Sequence, residues 1–343
     1  MNPKYLFLLL FFATSLNVSA QKTFRVMFYN VENLFDTLDE EHKSDNEFLP
    51  DGARRWNNSK YYSKLNNLAK VITSVGEWDT PALIGLCEVE NDRTMQDLTK
   101  HSLLKQMKYQ YLITESPDVR GIDVALLYQR DRFKYLYHNE IVVTFPERPR
   151  SKTRNILHAT GIVSTGDTLD VFVCHFPSRR GGQTQSEPNR LRVASLLRAA
   201  TDSLHAVRKH AHILVMGDFN DEPSDKSMQS LTRLRTNKAG EPLHLHNLWL
   251  PLERTSKIGS YKFGKQWNFL DQMFVSDKLM NQTHPLHVKP QSATIFQADF
   301  LFTEDKTHGG VRPKKTFHGR KYEAGYSDHL PIFVDLELKI TKK

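Results

Sequence analysis

Seven short, largely apolar runs constrain this chain more than any other feature; they lie at 24–29, 82–87, 122–128, 169–175, 212–216, 270–275 and 332–336. Runs of about four to eight residues without strict polar alternation read as strands buried on both faces. Between them the periodicity turns helical: Leu65, Leu68, Ala69 and Ile72 fall at i, i+3, i+4 and i+7. A second helix is expected from Ser186 as N-cap, with Pro188 in its first turn, through Leu191 to about residue 204. Ser224 and Asp225 read as the cap of a third, shorter helix. Buried strands alternating with amphipathic helices predict an α/β fold. The polar stretch 36–60 and the basic stretch 303–326 are expected to be surface excursions.

The first 20 residues stand apart. Lys4 precedes an apolar run from Tyr5 to Leu16, and Val18, Ser19 and Ala20 follow. This is the pattern of a secretory signal peptide, with cleavage expected after Ala20. The run is about a dozen residues, short of the ~20 needed to span a bilayer. Residues 21–343 are then expected to form one domain, secreted or periplasmic, monomeric and without stable membrane association. Cleavage removes one positive charge, Lys4, from the formal net charge of +8. That balance fits an anionic partner such as nucleic acid or a phospholipid surface, and solubility explains it equally well. With only 2 cysteines, a disulfide framework and a four-thiolate zinc site are both excluded. Cys87 and Cys174 sit within apolar runs and are expected to be free and buried.

Polar residues recur at the ends of the apolar runs. Asn30 and Glu32 follow the first, Glu88 the second, His175 closes the fourth, and Asp218 with Asn220 follow the fifth. Asp271 comes early in the sixth, and Asp328 with His329 just precede the last. Ligand sites in α/β sheets favour strand ends and the loops beyond them. Any one such carboxylate or histidine is commonly just solvated; seven in one chain are hard to explain that way. Glu88, Asp218 and Asp328 are hard oxygen donors, supported by the amides of Asn30 and Asn220, a set suited to Mg²⁺ or Mn²⁺ beside a phosphate, with Ca²⁺ admitted. His175 and His329 can be cationic near neutral pH and suit phosphoryl charge. An acid beside His329 would fix its tautomer, and Asp271 is the candidate. The inventory fits metal-assisted attack of water on a phosphate ester. G-x-S-x-G, H-E-x-x-H, C-x-x-C, P-loop and G-x-G-x-x-G signatures are all missing, which disfavours acyl transfer and nucleotide-cofactor chemistry.

Read in order, Tyr29-Asn30-Val31-Glu32-Asn33, Cys87-Glu88-Val89, Gly121-Ile122-Asp123-Val124-Ala125, His175-Phe176-Pro177, Gly217-Asp218-Phe219-Asn220, Leu270-Asp271-Gln272 and Tyr326-Ser327-Asp328-His329-Leu330-Pro331 resemble the endonuclease/exonuclease/phosphatase superfamily. The motif wording, with the leader, looks most like its exported bacterial members. The resemblance spans about residues 24–337 and implies a four-layer α/β sandwich of two packed mixed sheets flanked by helices. It also implies that Glu88 is the principal metal ligand, with Asn30 and Asp328 in or next to its shell. Asp218 would orient or deprotonate the attacking water, and Asn220 would position phosphate or nucleophile. His329, held by Asp271, would stabilise the scissile phosphate, and His175 would contact phosphate or help the leaving group. Which of Asp218 and His329 is the base stays open, and Asp123 has no assigned role. Glu32 is expected behind the ligands rather than among them.

Three functions compete: a metal-dependent nuclease on DNA or RNA, another phosphoesterase acting on phospholipid or a small phosphate ester, and an inactive binding module. No candidate ligand is replaced by an inert residue, which disfavours the last. Trp267-Asn268-Phe269-Leu270-Asp271-Gln272 departs from the inositol-phosphatase pattern. The apolar residues Ile295, Phe296, Phe300, Leu301 and Phe302, which a sphingomyelinase-like enzyme would expose, are expected to be packed. Arg179 and Arg180, followed by Gly181-Gly182, are candidates to bind substrate phosphate. The stretch 312–321, with Phe317 and His318 among cations, could stack a base or be plain surface.

Overall fold

The computed structural model describes residues 21–236 and 242–339; the expected signal peptide, residues 1–20, lies outside them. Two βαβ units organise the molecule. In the first, β1 (Gln21–Leu34) passes through α1 (Asn58–Gly76) to β2 (Leu83–Val89), parallel to β1. Then come α2 (Asp92–Lys100), β3 (Gln110–Ile113), β4 (Asp123–Tyr128), β5 (Phe133–Ile141) and β6 (Ile156–Val163). The second unit is β7 (Thr168–His175), α3 (Gln183–Val207) and β8 (His212–Asp218), again parallel, and α4 (Lys226–Thr232) follows. Parallel neighbours need a long crossover, and α1 and α3 supply it.

One sheet runs Leu286–Val288, Ile332–Lys339, β1, β2, β4, β3, with Thr294–Ile295 also on Ile332–Lys339. The other runs Leu245–Asn247, Asp271–Ser276, β8, β7, β6, β5. Apart from β1–β2 and β7–β8, the described pairings are antiparallel. Ile332–Lys339 therefore starts where β1 ends, and Asp271–Ser276 starts where β8 ends. That places polar residues late in four runs and early in two others at a single end of the sandwich.

Side chains alternate across the pleat and sort into layers. On β8, Leu214 and Met216 join the core between the sheets, whereas Ile213 and Val215 pack with Val193, Ala194 and Leu197 of α3 and Met228 of α4. Leu65, Leu68 and Ile72 cover the other sheet from α1, as their spacing requires. The sheets approach closely at Gly85, where a Cβ would lie 2.8 Å from Met216 Sδ. The result is the four-layer α/β sandwich. Asn57 caps α1, accepting from Lys60 N–H at 3.1 Å, an interaction worth about 1 kcal/mol. Both cysteines are free and buried.

Three expectations need correction. α3 starts at Gln183, capped by Gly182, because Gly181 and Gly182 (φ 85° and 106°) turn the chain early; the Ser186 hydroxyl donates to Gly182 O, and Pro188 lies inside the helix. Stretches 36–60 and 303–326 are not bare excursions. Trp56 is buried, donates to Phe35 O at 3.0 Å and lies 5.8 Å from Phe317, itself buried. Phe317 is thus core, not a ring held out for a base. By contrast, Ile295 and Leu301 are buried, with Phe296, Phe300 and Phe302 packed on the core as expected.

Candidate active site

A cleft of about 850 Å³ opens where the four parallel strands end, lined by Glu88, His175, Asp218, Asn220, Asp328 and His329. The backbone here is unusual. Glu32, Asn33, Glu88 and Asn220 have φ of 51°, 51°, 63° and 52°, left-handed values that side chains rarely adopt and that gather at functional sites. At Glu88 the β2–β4 register also shifts, re-aiming the side chain at a bulge.

On the β8 side lies a buried acid–imidazole network. His175, Asp218 and Asp271 occupy one row across three strands. His329 Nδ1 meets Asp271 Oδ2 at 2.6 Å, and its Nε2 points back to within 3.9 Å of Asp218 Oδ2. Asp218 accepts from Asn220 N–H at 2.9 Å and Asn30 Nδ2 at 3.0 Å. Burial raises the Asp218 carboxyl to about 7, against the stabilising charge of His329. Burial opposes the His329 imidazolium, but Asp271, by charge and hydrogen bond, and then Asp218 outweigh it and hold it well above the usual histidine range. His175 goes the other way: burial, then the charges of Arg154, Arg120 and His329, keep it neutral. The expectation that both histidines can be cationic therefore holds for His329 alone. His175 Nε2 lies 3.6 Å from Asp218 Oδ2 and 3.9 Å from Glu88 Oε1.

The β1–β2 side is richer in open oxygens. Glu88 Oε2 accepts from Asn33 N–H at 2.9 Å, and its Oε1 faces His175 and Arg120, each at 3.9 Å. Asn30 takes Glu32 N–H on its amide oxygen, which turns Nδ2 toward Asp218. Ser327 donates to Asn30 O, tying the segment bearing Asp328 and His329 to the end of β1. Behind them Glu32 accepts from Thr316 N–H at 2.7 Å and lies 3.9 Å from the buried Lys64 ammonium. Burial, then the charge of Asp328, raises Glu32 to about 7; burial lowers Lys64 to about 8. Acidic groups thus accumulate beyond what nearby cations offset. With Glu88 and Asp328 open to the cleft, this donor set fits a hard divalent cation. Asp218, Asp271 and His329 also bring donor atoms within 4.8 Å of one another, but they are buried and already serve each other.

The walls refine the substrate candidates. Arg179 is engaged: its Nε donates to Asn220 O at 2.7 Å, and it pairs with Asp225 at 2.8 Å, so it braces the Asn220 loop. Arg180 lines the cleft beside Lys152, Arg154, Arg120 and Gln183. Asp123 accepts from Thr114 Oγ1 and Ser116 N–H, anchoring the loop that leads to Asp118 and Arg120. Asp118 in turn pairs with Arg154 at 3.2 Å. Tyr261, whose ring lies 4.7 Å from that of His329, and Phe263, 74% exposed, come from the hairpin Tyr261–Phe263/Gln266–Asn268. Sequence reasoning missed Tyr261, Phe263, Asp118, Arg120 and Lys64. For Lys64 a signal existed, a lysine on the apolar face of α1.

The sequence model of the endonuclease/exonuclease/phosphatase family matches residues 25–338. The chain belongs to this family. Its members are hydrolases that act on phosphoester bonds. No curated protein sequence matches the chain significantly. Among solved structures, a Bacteroides thetaiotaomicron member of the family aligns with a TM-score of 0.59 at 15% identity, over 93% of this chain and 98% of that one. The B. thetaiotaomicron mannosyl-6-phosphatase aligns at 0.56 and 15%, over 91% and 99%. D. rerio TDP2, solved with a single-strand DNA product, aligns at 0.54 and 16%, over 92% and 98%. At these identities the likeness is one of fold.

Within the endonuclease/exonuclease/phosphatase frame, the motif residues converge. Asn30, Glu88, His175, Asp218, Asn220, Asp271 and His329 form one chain of contacts from sheet to sheet, and Asp328 opens onto the same cleft. Asn220 is pinned by Asp218 through its N–H and by Phe176 O through Nδ2. Among the described residues no helix is long and apolar enough to cross a membrane.

Proposed function

We propose that the protein is an exported, divalent-metal-dependent phosphodiesterase that hydrolyses nucleic acid, DNA or RNA, through attack of water on the phosphate. The observation that carries this reading is the Asp218–His329–Asp271 network facing Glu88 across a cleft walled by Arg120, Lys152 and Arg180. Asn30, Glu88 and Asp328 would hold Mg²⁺ or Mn²⁺, which when bound polarises a phosphoryl oxygen and offsets its charge. Asp218, fixed by Asn30 and Asn220, orients the attacking water; a carboxyl raised to about 7 is well matched to accept its proton near neutral pH. His329 donates from Nε2 to a phosphoryl oxygen, its charge sustained by Asp271. His175, being neutral, contributes a hydrogen bond rather than a charge.

Cationic side chains with the exposed Phe263 ring at the rim suit a polyanion carrying stackable bases. A panel of duplex and single-stranded DNA, RNA, sphingomyelin, inositol phosphates, sugar phosphates and a generic phosphodiester, with metal and with EDTA, tests the reading. Metal-dependent cleavage of nucleic acid is expected. Hydrolysis that persists in excess chelator contradicts the metal assignment, and faster turnover of a sugar phosphate or lipid contradicts the nuclease assignment.

A further inference from the structure

At the end of the sandwich remote from the cleft, the edge strand Leu245–Asn247, its neighbour Asp271–Ser276 and the short helix Asp277–Met280 gather two histidines and an acid. His244 Nδ1 lies 3.2 Å from His246 Nε2, which lies 2.6 Å from Asp277 Oδ1; His244 Nδ1 is 3.8 Å from the same oxygen. Three electron-pair donors thus lie within 3.8 Å of one another. A single proton on His246 Nε2 completes the bond to Asp277 and leaves His244 Nδ1 only a share of the same hydrogen. A cation at the centre serves all three. An ion bound tetrahedrally at about 2.0–2.1 Å spaces its ligand atoms about 3.3 Å apart, and the three observed separations bracket that value.

The surroundings agree. The His244 ring also hydrogen-bonds the backbone of Thr232, the kind of contact that orients metal-bound imidazoles. Asp277 Oδ2 is buried with no hydrogen-bond partner among the described residues. Arg198, whose charge reaches His244, is paired with Asp202 at 2.9 Å. The three side chains are only partly covered, so an ion has a path from solvent and room for water as a further ligand.

We propose that His244, His246 and Asp277 form a second metal site, taking a divalent transition ion of the zinc class. Two imidazoles and one carboxylate favour such an ion over Mg²⁺ or Ca²⁺, which want oxygen ligands. The site is separate from the cleft: Asp277 follows the strand that Asp271 begins, and six residues of strand span about 20 Å. An ion there ties the edge strand to the helix beyond its neighbour.

Cobalt is the probe, titrated into the purified protein with excess Mg²⁺ occupying the oxygen sites and read by its visible ligand-field absorption. The expected result is one tightly bound Co²⁺, displaced by Zn²⁺. Affinity should fall at least about tenfold in His246→Ala and in Asp277→Asn. It should be unchanged in Glu88→Gln, which alters the cleft, and in His284→Ala, which alters the separate Asp167, His212 and His284 group. Zn²⁺ should also raise the melting temperature of the wild type but not of His246→Ala. No stoichiometric binding, wild-type affinity in a folded His246→Ala, or loss of binding in His284→Ala instead overturns the proposal.

Discussion

At the end of β2 and just ahead of Ile332–Lys339, Glu88 and Asp328 are oxygen donors partly open to the cleft, backed by the buried Asn30; at the ends of β7 and β8 the polar groups are acids and imidazoles sealed in the sandwich. Glu88 keeps 14% of its side-chain surface, whereas Asp218 keeps 3% and His175 2%. The two βαβ units share connectivity, so topology does not separate them. Burial does. Donors that water reaches stay solvated until an ion replaces that water, which suits a metal site. Desolvated groups have their protonation set by one another, which suits proton transfer. Repeating one unit twice thus yields two different rims, and His329 crosses between them, rooted beside β1 yet bonded to Asp271 next to β8.

The contrast can be broken experimentally. The largest effect is expected on the buried rim: Asp218→Asn or His329→Gln should each cut kcat about 10²–10⁴-fold, with no recovery at higher metal concentration. Asp271→Asn should cost about 10²-fold and change the pH profile. Asp218 must be ionised, so the rate rises with pH through about 7; His329 must be protonated, so the rate falls above its raised value. Without the Asp271 carboxylate, that falling limb moves to lower pH, which a pH–rate comparison of the two proteins reads directly. On the open rim, Glu88→Gln should move the Mg²⁺ activation curve at least about tenfold upward while much of the rate returns at saturation. Arg180→Ala should weaken DNA binding severalfold and lower the slope of log affinity against log salt by about one, leaving kcat near wild type.

Most inner strands were legible from sequence because strands covered on both faces carry largely apolar runs. β6 and β5 were not: β6 is buried but His158 and Thr160 interrupt its run, and β5 is an outer strand whose Lys134, Asn139 and Glu140 face outward in part. Asp218, Asp271 and His329 were legible as strand-end residues, and the structure bonds the expected pair. Their protonation was not legible, since it depends on burial and on charges from other segments; His175 shows this, being held neutral partly by Arg154 and Arg120. Arg179 shows the limit for surface charge. Its position beside the cleft is readable, but its capture by Asp225, 46 residues on, is not.

The division of labour between the rims is tested most directly by Mg²⁺ activation curves for Glu88→Gln and Asp218→Asn, measured together on one phosphodiester substrate. The account predicts that Glu88→Gln is shifted to higher Mg²⁺ and recovers, while Asp218→Asn keeps the wild-type midpoint at a rate lower by orders of magnitude. The reverse pattern, with Asp218→Asn rescued by metal and Glu88→Gln not, would contradict it.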